Sequence, residues 1–97
     1  MVVGLGLRPE GTLMNLNHLQ YFLETCRYGS ITKASEVCHI SQPSITAAIN
    51  NLEKELGAKL FDRVNNRLRL TVVGEGFKDL TEEFLKTFDD YCQSAYD

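Results

Sequence analysis

A chain of 97 residues, 43% of them hydrophobic and 24% charged, has room for one folded domain and an appended element, and its composition is not that of a disordered chain. No run of about 18 apolar residues occurs, which excludes a helical membrane span; the three cysteines are odd in number, widely spaced and without a C-x-x-C pair, which excludes a disulfide framework and a zinc ribbon. The net charge of -3 excludes a uniformly basic polyanion binder, so the placement of charge decides more than its sum.

Met1 to Leu13 carries three glycines and a proline with no sustained period, and is read as a flexible leader or an expression-derived extension, with Met14 as a candidate natural start. It lacks a basic n-region and an A-x-A-like cleavage site, so a cytoplasmic protein is expected. Asn15 or Asn17 can cap a first helix. Its apolar residues Leu16, Leu19, Phe22, Leu23 and Cys26 follow the helical period, and it ends near Tyr28-Gly29.

The stretch Ser30 to Gly57 carries the strongest local signals. Ser30 caps a short pattern of Ile31, Ala34, Val37 and Cys38, and only His39-Ile40 separates it from a second cap at Ser41. From there Ile45, Ala48, Ile49, Leu52 and Leu56 form one apolar stripe, Pro43 fits the first turn, and Gly57 supplies the stop. Pro43, Ala47, Asn50, Asn51 and Lys54 cluster on the opposite side, with Thr46 at its edge and no bulky apolar residue among them. Two helices joined this tightly must cross steeply, which is a helix-turn-helix pattern whose second helix can enter a major groove.

After Gly57 the period changes. Lys59 to Arg63 and Arg67 to Leu70 read as two short strands joined through Asn65-Asn66, residues that tolerate positive φ. Strict alternation sends Leu68 and Leu70 to one face of this wing and Arg67 and Arg69 to the other. Thr71 then caps a final helix with Phe77, Leu80, Phe84, Phe88, Tyr91 and Ala95 at steps of three and four. From Val72 to Ala95 it would extend ~36 Å, longer than a three-helix core can cover. Half of its aromatic stripe is therefore expected to be core. The distal half, Phe84, Phe88, Tyr91 and Ala95, is expected to pair with the same helix of a second subunit. Charge divides along the same line: Met14 to Leu70 holds seven basic against five acidic residues, whereas Thr71 to Asp97 holds two against seven. The acid belongs to the tail and not to the prospective reading head.

Ser30-Ile31-Thr32-Lys33-Ala34-Ser35, Ile40-Ser41-Gln42-Pro43-Ser44-Ile45-Thr46, Leu52-Glu53, Leu56-Gly57, Leu60-Phe61-Asp62-Arg63 and Leu70-Thr71 with Gly74 together resemble the N-terminal DNA-binding region of LysR-type transcriptional regulators. The resemblance covers nearly all of Met14 to Gly76. It implies a mainly α fold: a winged helix-turn-helix of three helices and a two-stranded β-wing over 14–71, then a linker and dimerisation helix over 72–97. It also implies a C-terminal effector-binding domain that is missing here, so the chain is read as a truncation, with a naturally short protein as the alternative. Its DNA-facing positions carry over to Thr32, Lys33, Gln42, Pro43, Thr46 and Arg67, and the helix period adds Ala47 and Asn50. Gln can bind adenine through its amide, Pro and Ala can touch a thymine methyl, and Thr can do either, which suits a site with A·T pairs. The chain departs from the family at Ala47-Ala48, where Arg or another polar residue is common, at Cys38 in place of Leu, and at Asn65 or Asn66 in place of a wing Gly.

The function expected is sequence-specific binding of double-stranded DNA as a homodimer on an interrupted palindrome. Helix 42–56 would lie in the major groove and the wing near 65–67 on the flank, with phosphate contacts from Lys33, Lys54 or Arg67. Arg63 stays open between bonding the wing or a helix carboxylate and contacting a phosphate. The rival class is a winged-helix interaction or oligomerisation module without DNA binding, favoured by the acidic tail and Ala47-Ala48. Enzymatic chemistry is not expected, since adjacency in Cys38-His39 does not make a catalytic pair. Neither a metal nor a cofactor is expected, His18 and His39 lacking clustered ligating partners.

Overall fold

Each helix begins where a short polar side chain can take up an amide that has no partner within the helix. The computed structural model describes residues 15–65 and 67–96; the leader Met1 to Leu13 and Asn66 lie outside the described residues. Helix α1 spans Leu16–Tyr28, α2 Ile31–Cys38 and α3 Gln42–Leu56; strands β1 (Phe61–Val64) and β2 (Arg67–Leu70) follow, and α4 spans Val72–Tyr96. Asn15 accepts from the His18 amide at 2.9 Å, Ser30 from Lys33 at 3.1 Å and Ser41 from Ser44 at 3.2 Å. Gly29 and Gly57 close α1 and α3 in the left-handed region, at φ 61° and 72°. This is the winged helix-turn-helix with an appended long helix that the sequence pattern predicts.

The turn between α2 and α3 has a device that the sequence hides. His39 closes α2 at φ 60°, and the amide of Ile40 reaches back to the Ser35 carbonyl at 3.1 Å. A residue other than Gly or Asn at such a position is uncommon, and no local pattern marks it in advance. His39 is thus a backbone corner that brings Ser41 and α3 immediately across α2. Ala34 and Ser35 are both buried at that crossing.

Phe22 organises the core. Its ring lies 5.6 Å from that of Phe61 on β1 and 5.2 Å from that of Phe77 on α4, both tilted. One cluster joins Leu19, Phe22, Leu52, Leu60 and Phe77, and a second joins Ala34, Ile45 and Ile49; Phe61 packs against both. The wing is therefore pinned by an aromatic residue at its root and is not a free flap. Val37 and Leu56, assigned to apolar stripes from their spacing, sit at the edges of those stripes and are exposed.

The hairpin pairs Phe61 with Leu70, Asp62 with Arg69, Arg63 with Leu68 and Val64 with Arg67. Its first strand starts two residues later than its pattern predicts, because Lys59 and Leu60 are engaged elsewhere. The Leu60 amide donates to Glu53 Oε2 at 2.8 Å, and Thr71 Oγ1 donates to the Lys59 carbonyl at 2.7 Å. The same Thr71 oxygen accepts from the Gly74 amide at 2.9 Å, so one side chain caps α4 and ties it to the entry of the wing.

The long helix divides its apolar residues between two directions. Phe77 and Thr81 are buried against the domain, and Leu85 packs beside the same core. Leu80, Phe84, Phe88 and Tyr91 are exposed.

Cys26 faces α4, and burial pushes its thiol up to about 12, with Lys78 opposing and Glu82 adding to the shift. The folded state thus holds this proton more tightly than an unfolded chain, whose thiol titrates near 9.0. The resulting stability is complete below that value and is lost as pH rises through the window to about 12. Urea unfolding of the wild type should lose more stability across this window than that of Cys26→Val, and equal losses in the two proteins would contradict the burial effect.

Candidate nucleic-acid interface

Helix α3 presents two faces with opposite fates. Ile45, Ala48, Ile49 and Leu52 are buried, while Gln42, Pro43, Thr46, Ala47, Asn50 and Asn51 are exposed. The exposed side carries amide, hydroxyl and methyl groups, the chemistry that reads base edges. Its base is stiffened by the Ser41 cap, where the two hydroxyls of Ser41 and Ser44 lie 2.9 Å apart.

Two contiguous clefts run along this face. One of about 400 Å³ is lined by Gly29, Ser30, Ile31, Thr32, Gln42, Thr46, Arg63, Arg67 and Leu68. A second of about 330 Å³ continues past Thr46 to Asn50, Glu53 and the root of the wing. The fold thereby brings Thr32, Gln42, Thr46 and Arg67 together around one polar recess, with Asn50 in its extension. Lys33, Pro43 and Ala47 are exposed but do not line it.

Electrostatics sort the cations. Arg27 pairs with Glu24 at 3.6 Å, Lys78 with Glu82 at 3.4 Å and Lys86 with Asp90 at 3.0 Å. Lys33 lies 3.8 Å from Glu36 on an open surface, a contact that contributes little. Among the described residues, Lys54, Arg63, Arg67 and Arg69 form no ion pair. All four lie on α3 or the wing. The positive potential of the front half is thus concentrated beside the exposed face of α3, while α4 balances its own lysines.

The wing register places Arg63 on the face of Leu68, which looks towards the helices, and Arg67 with Arg69 on the other face. Alternation within the second strand foretold the outward pair. The inward position of Arg63 needed the pairing of the two strands, and Arg63 is the residue of the cleft whose placement the spacing left open.

A second surface shares no lining residue with these clefts. An apolar groove of about 620 Å³ between α1 and α4 is lined by Asn15, Leu16, Leu19, Phe77, Leu80, Thr81 and Phe84. The rings of Phe84 and Phe88 stack beyond it at 6.3 Å. Tyr91 and Ala95 continue the exposed stripe. No described helix is long and apolar enough to cross a membrane, and no described group of His, Cys, Asp and Glu could hold a metal ion.

Comparison with known proteins agrees with this geometry. Residues 16–75 match the family model for the bacterial regulatory helix-turn-helix protein, lysR family. The chain is 49% identical over 57 residues to an uncharacterised HTH-type transcriptional regulator, YwbI, of Bacillus subtilis, covering 59% of this chain and 19% of that protein. It is 41% identical over 61 residues to the transcriptional activator protein LysR of Escherichia coli, covering 63% of this chain and 20% of that one. These relatives are transcriptional regulators and not enzymes, and the chain spans about a fifth of their length. Among solved structures it is similar to a BenM DBD/catB site 1 DNA complex, with a TM-score of 0.81 at 32% identity, covering 86% of this chain and 92% of that one. It is also similar to a CbnR DBD–DNA complex, with a TM-score of 0.76 at 29% identity, covering 87% of this chain and all of that one. The family model spans well over half of the sequence and its fold is the one observed, so the chain belongs to the lysR family of bacterial regulatory helix-turn-helix proteins.

Proposed function

We propose that this chain is the sequence-specific, double-stranded-DNA-binding part of a LysR-type transcriptional regulator acting in the cytoplasm. The observation that carries the reading is the exposed face of α3, polar in its first turn, opening onto a cleft beside cations without carboxylate partners. The similarity to DNA-binding domains solved with DNA supports the same reading. Gln42, Pro43 and Thr46 read base edges, Ala47 and Asn50 lie along the groove, and Thr32, Lys33 and Arg67 fix the register through the backbone. Residues 14–71 form the reading domain and 72–97 the dimerisation helix.

The active unit is a homodimer formed through α4, in which Phe84, Phe88, Tyr91 and Ala95 cover the same stripe of the partner. Exposure of this stripe, together with the groove it continues, supports that role. Two copies then present their α3 helices to successive major grooves, about 34 Å apart, on an interrupted palindrome. A C-terminal effector-binding domain completes the protein. The relatives' greater length supports that domain.

Fluorescence anisotropy on duplexes selected from a random pool tests the reading. Gln42→Ala should weaken binding to the selected duplex by roughly tenfold and relax selection at an A·T position, since one bidentate base contact carries about 1–3 kcal/mol. Arg67→Ala should weaken all duplexes alike and flatten the salt dependence. No enrichment from the pool, with both variants unchanged, would instead leave an interaction module that does not read DNA.

A further inference from the structure

Arg63 occupies a place that neither its spacing nor its neighbours in sequence explain. It belongs to the exposed end of β1, yet its cross-strand partner is Leu68, so its side chain shares the helix-facing side of the wing with Phe61, Leu68 and Leu70. It lines both clefts beside α3, together with Ile31 and Thr46 in each, Thr32 and Gln42 in one and Asn50 in the other. A guanidinium on the inner face of a hairpin ordinarily serves to neutralise a carboxylate. Two carboxylates line the adjoining cleft, Glu53 and Asp62, but neither takes this role. Glu53 is committed to the Leu60 amide at 2.8 Å and to Lys59 at 3.9 Å, and Asp62 stands on the opposite face of the strand, paired in register with Arg69. Arg63 therefore makes no ion pair among the described residues, and it is exposed to solvent.

Apart from Arg67, the remaining polar walls of the recess are neutral. Thr32 and Thr46 contribute hydroxyls and Gln42 an amide, and the recess is open to solvent on one side. A recess with arginine at its rim, neutral hydrogen-bonding side chains and no carboxylate in its lining matches a phosphodiester, a singly charged tetrahedral group with two unesterified oxygens that accept from such a fork. We infer that Arg63 and the Thr32 hydroxyl form a phosphate seat between the wing and α3, beside the base-reading Gln42 and Thr46, holding one DNA phosphodiester at the edge of the groove that α3 enters. Arg67 lines the same recess from the other face of the hairpin and holds an adjacent linkage. This inference rests on the DNA-binding reading and adds to it the cation that fixes α3 in register.

The test compares the whole chain with Arg63→Gln, Arg63→Lys and Arg67→Gln on one duplex from the selected pool, by anisotropy across a salt series, with thermal melting of each protein. The same duplex is then prepared with single methylphosphonate linkages, which remove one phosphate charge at a time. Arg63→Gln should melt like the wild type, weaken binding roughly tenfold and lower the salt slope by about one, with the selected sequence unchanged. Arg63→Lys should restore the slope but not all of the affinity, because an ammonium cannot reproduce the fork. One methylphosphonate should weaken the wild type and leave Arg63→Gln indifferent, and Arg67→Gln should be indifferent to a different one. Unchanged affinity and slope in Arg63→Gln, while the wild type binds, would overturn the seat and leave the DNA reading intact. Relaxed base selection at one position would overturn it in favour of a base contact. A wild-type chain that binds no duplex would overturn both.

Discussion

Replacing Gly74 with alanine is expected to destabilise the domain by about 3 kcal/mol or more, the upper end of what overpacking costs. A Cβ at this position would collide with the Leu60 carbonyl oxygen and stand 2.9 Å from Leu70 Cδ2. The carbonyl is backbone and cannot swing aside. It also accepts from the Thr71 amide at 3.0 Å, so moving it disturbs the joint where β1, β2 and α4 meet. The neighbouring Gly76 provides the control, since a Cβ there meets nothing within 4 Å. Gly76→Ala should stabilise the chain by about 0.5–1 kcal/mol, through the greater helix propensity of alanine. Urea unfolding of the two variants should move in opposite directions. Equal small shifts would show that α4 does not press on Leu60 in solution.

The second large effect belongs to the exposed stripe of α4. Phe84→Glu combined with Phe88→Glu should convert a dimer into a monomer in sedimentation equilibrium, because each partner would bury two carboxylates against an apolar surface. Both side chains are close to half exposed within one protomer, at 48% and 44%, so the substitution should leave the thermal stability of the isolated domain nearly unchanged. Binding to a two-fold-related duplex should fall roughly a hundredfold or more, since the second half-site would no longer be held at high effective concentration. Binding to a single half-site should stay as it was. A wild type that sediments as a monomer at high micromolar concentration would overturn the pairing itself.

The reach of local chemistry is visible element by element. Helix α3 runs from Gln42 to Leu56, between Ser41 and Gly57, because its cap, its first-turn proline and its stop all act within a few residues of the backbone they satisfy. The same holds for Ser30, Asn15 and Thr71. The exposure of Gln42, Pro43, Thr46, Ala47 and Asn50 follows equally from the helical period once one face is apolar. His39 escaped such reasoning because its left-handed backbone is held by the bond from the Ile40 amide to the Ser35 carbonyl, and histidine's tolerance of that region is too weak a signal to place a helix end.

The sequence by itself determined the helices, their ends, the presence of a wing and the face of α3 turned outward, since each depends on groups one to four residues apart. Only the tertiary structure decided what those elements do to one another. The strand register set Arg63 on the face of Leu68 and Leu70 and put Arg67 with Arg69 on the other face, and the contact between Gly74 and Leu60 brought α4 against the root of the wing. Phe22, between Phe61 and Phe77, divided the stripe of α4 into a buried part and an exposed part. The register joins residues up to nine apart, and the other contacts join residues fourteen or more apart along the chain. Their meeting depends on how the whole core closes, which no local period encodes.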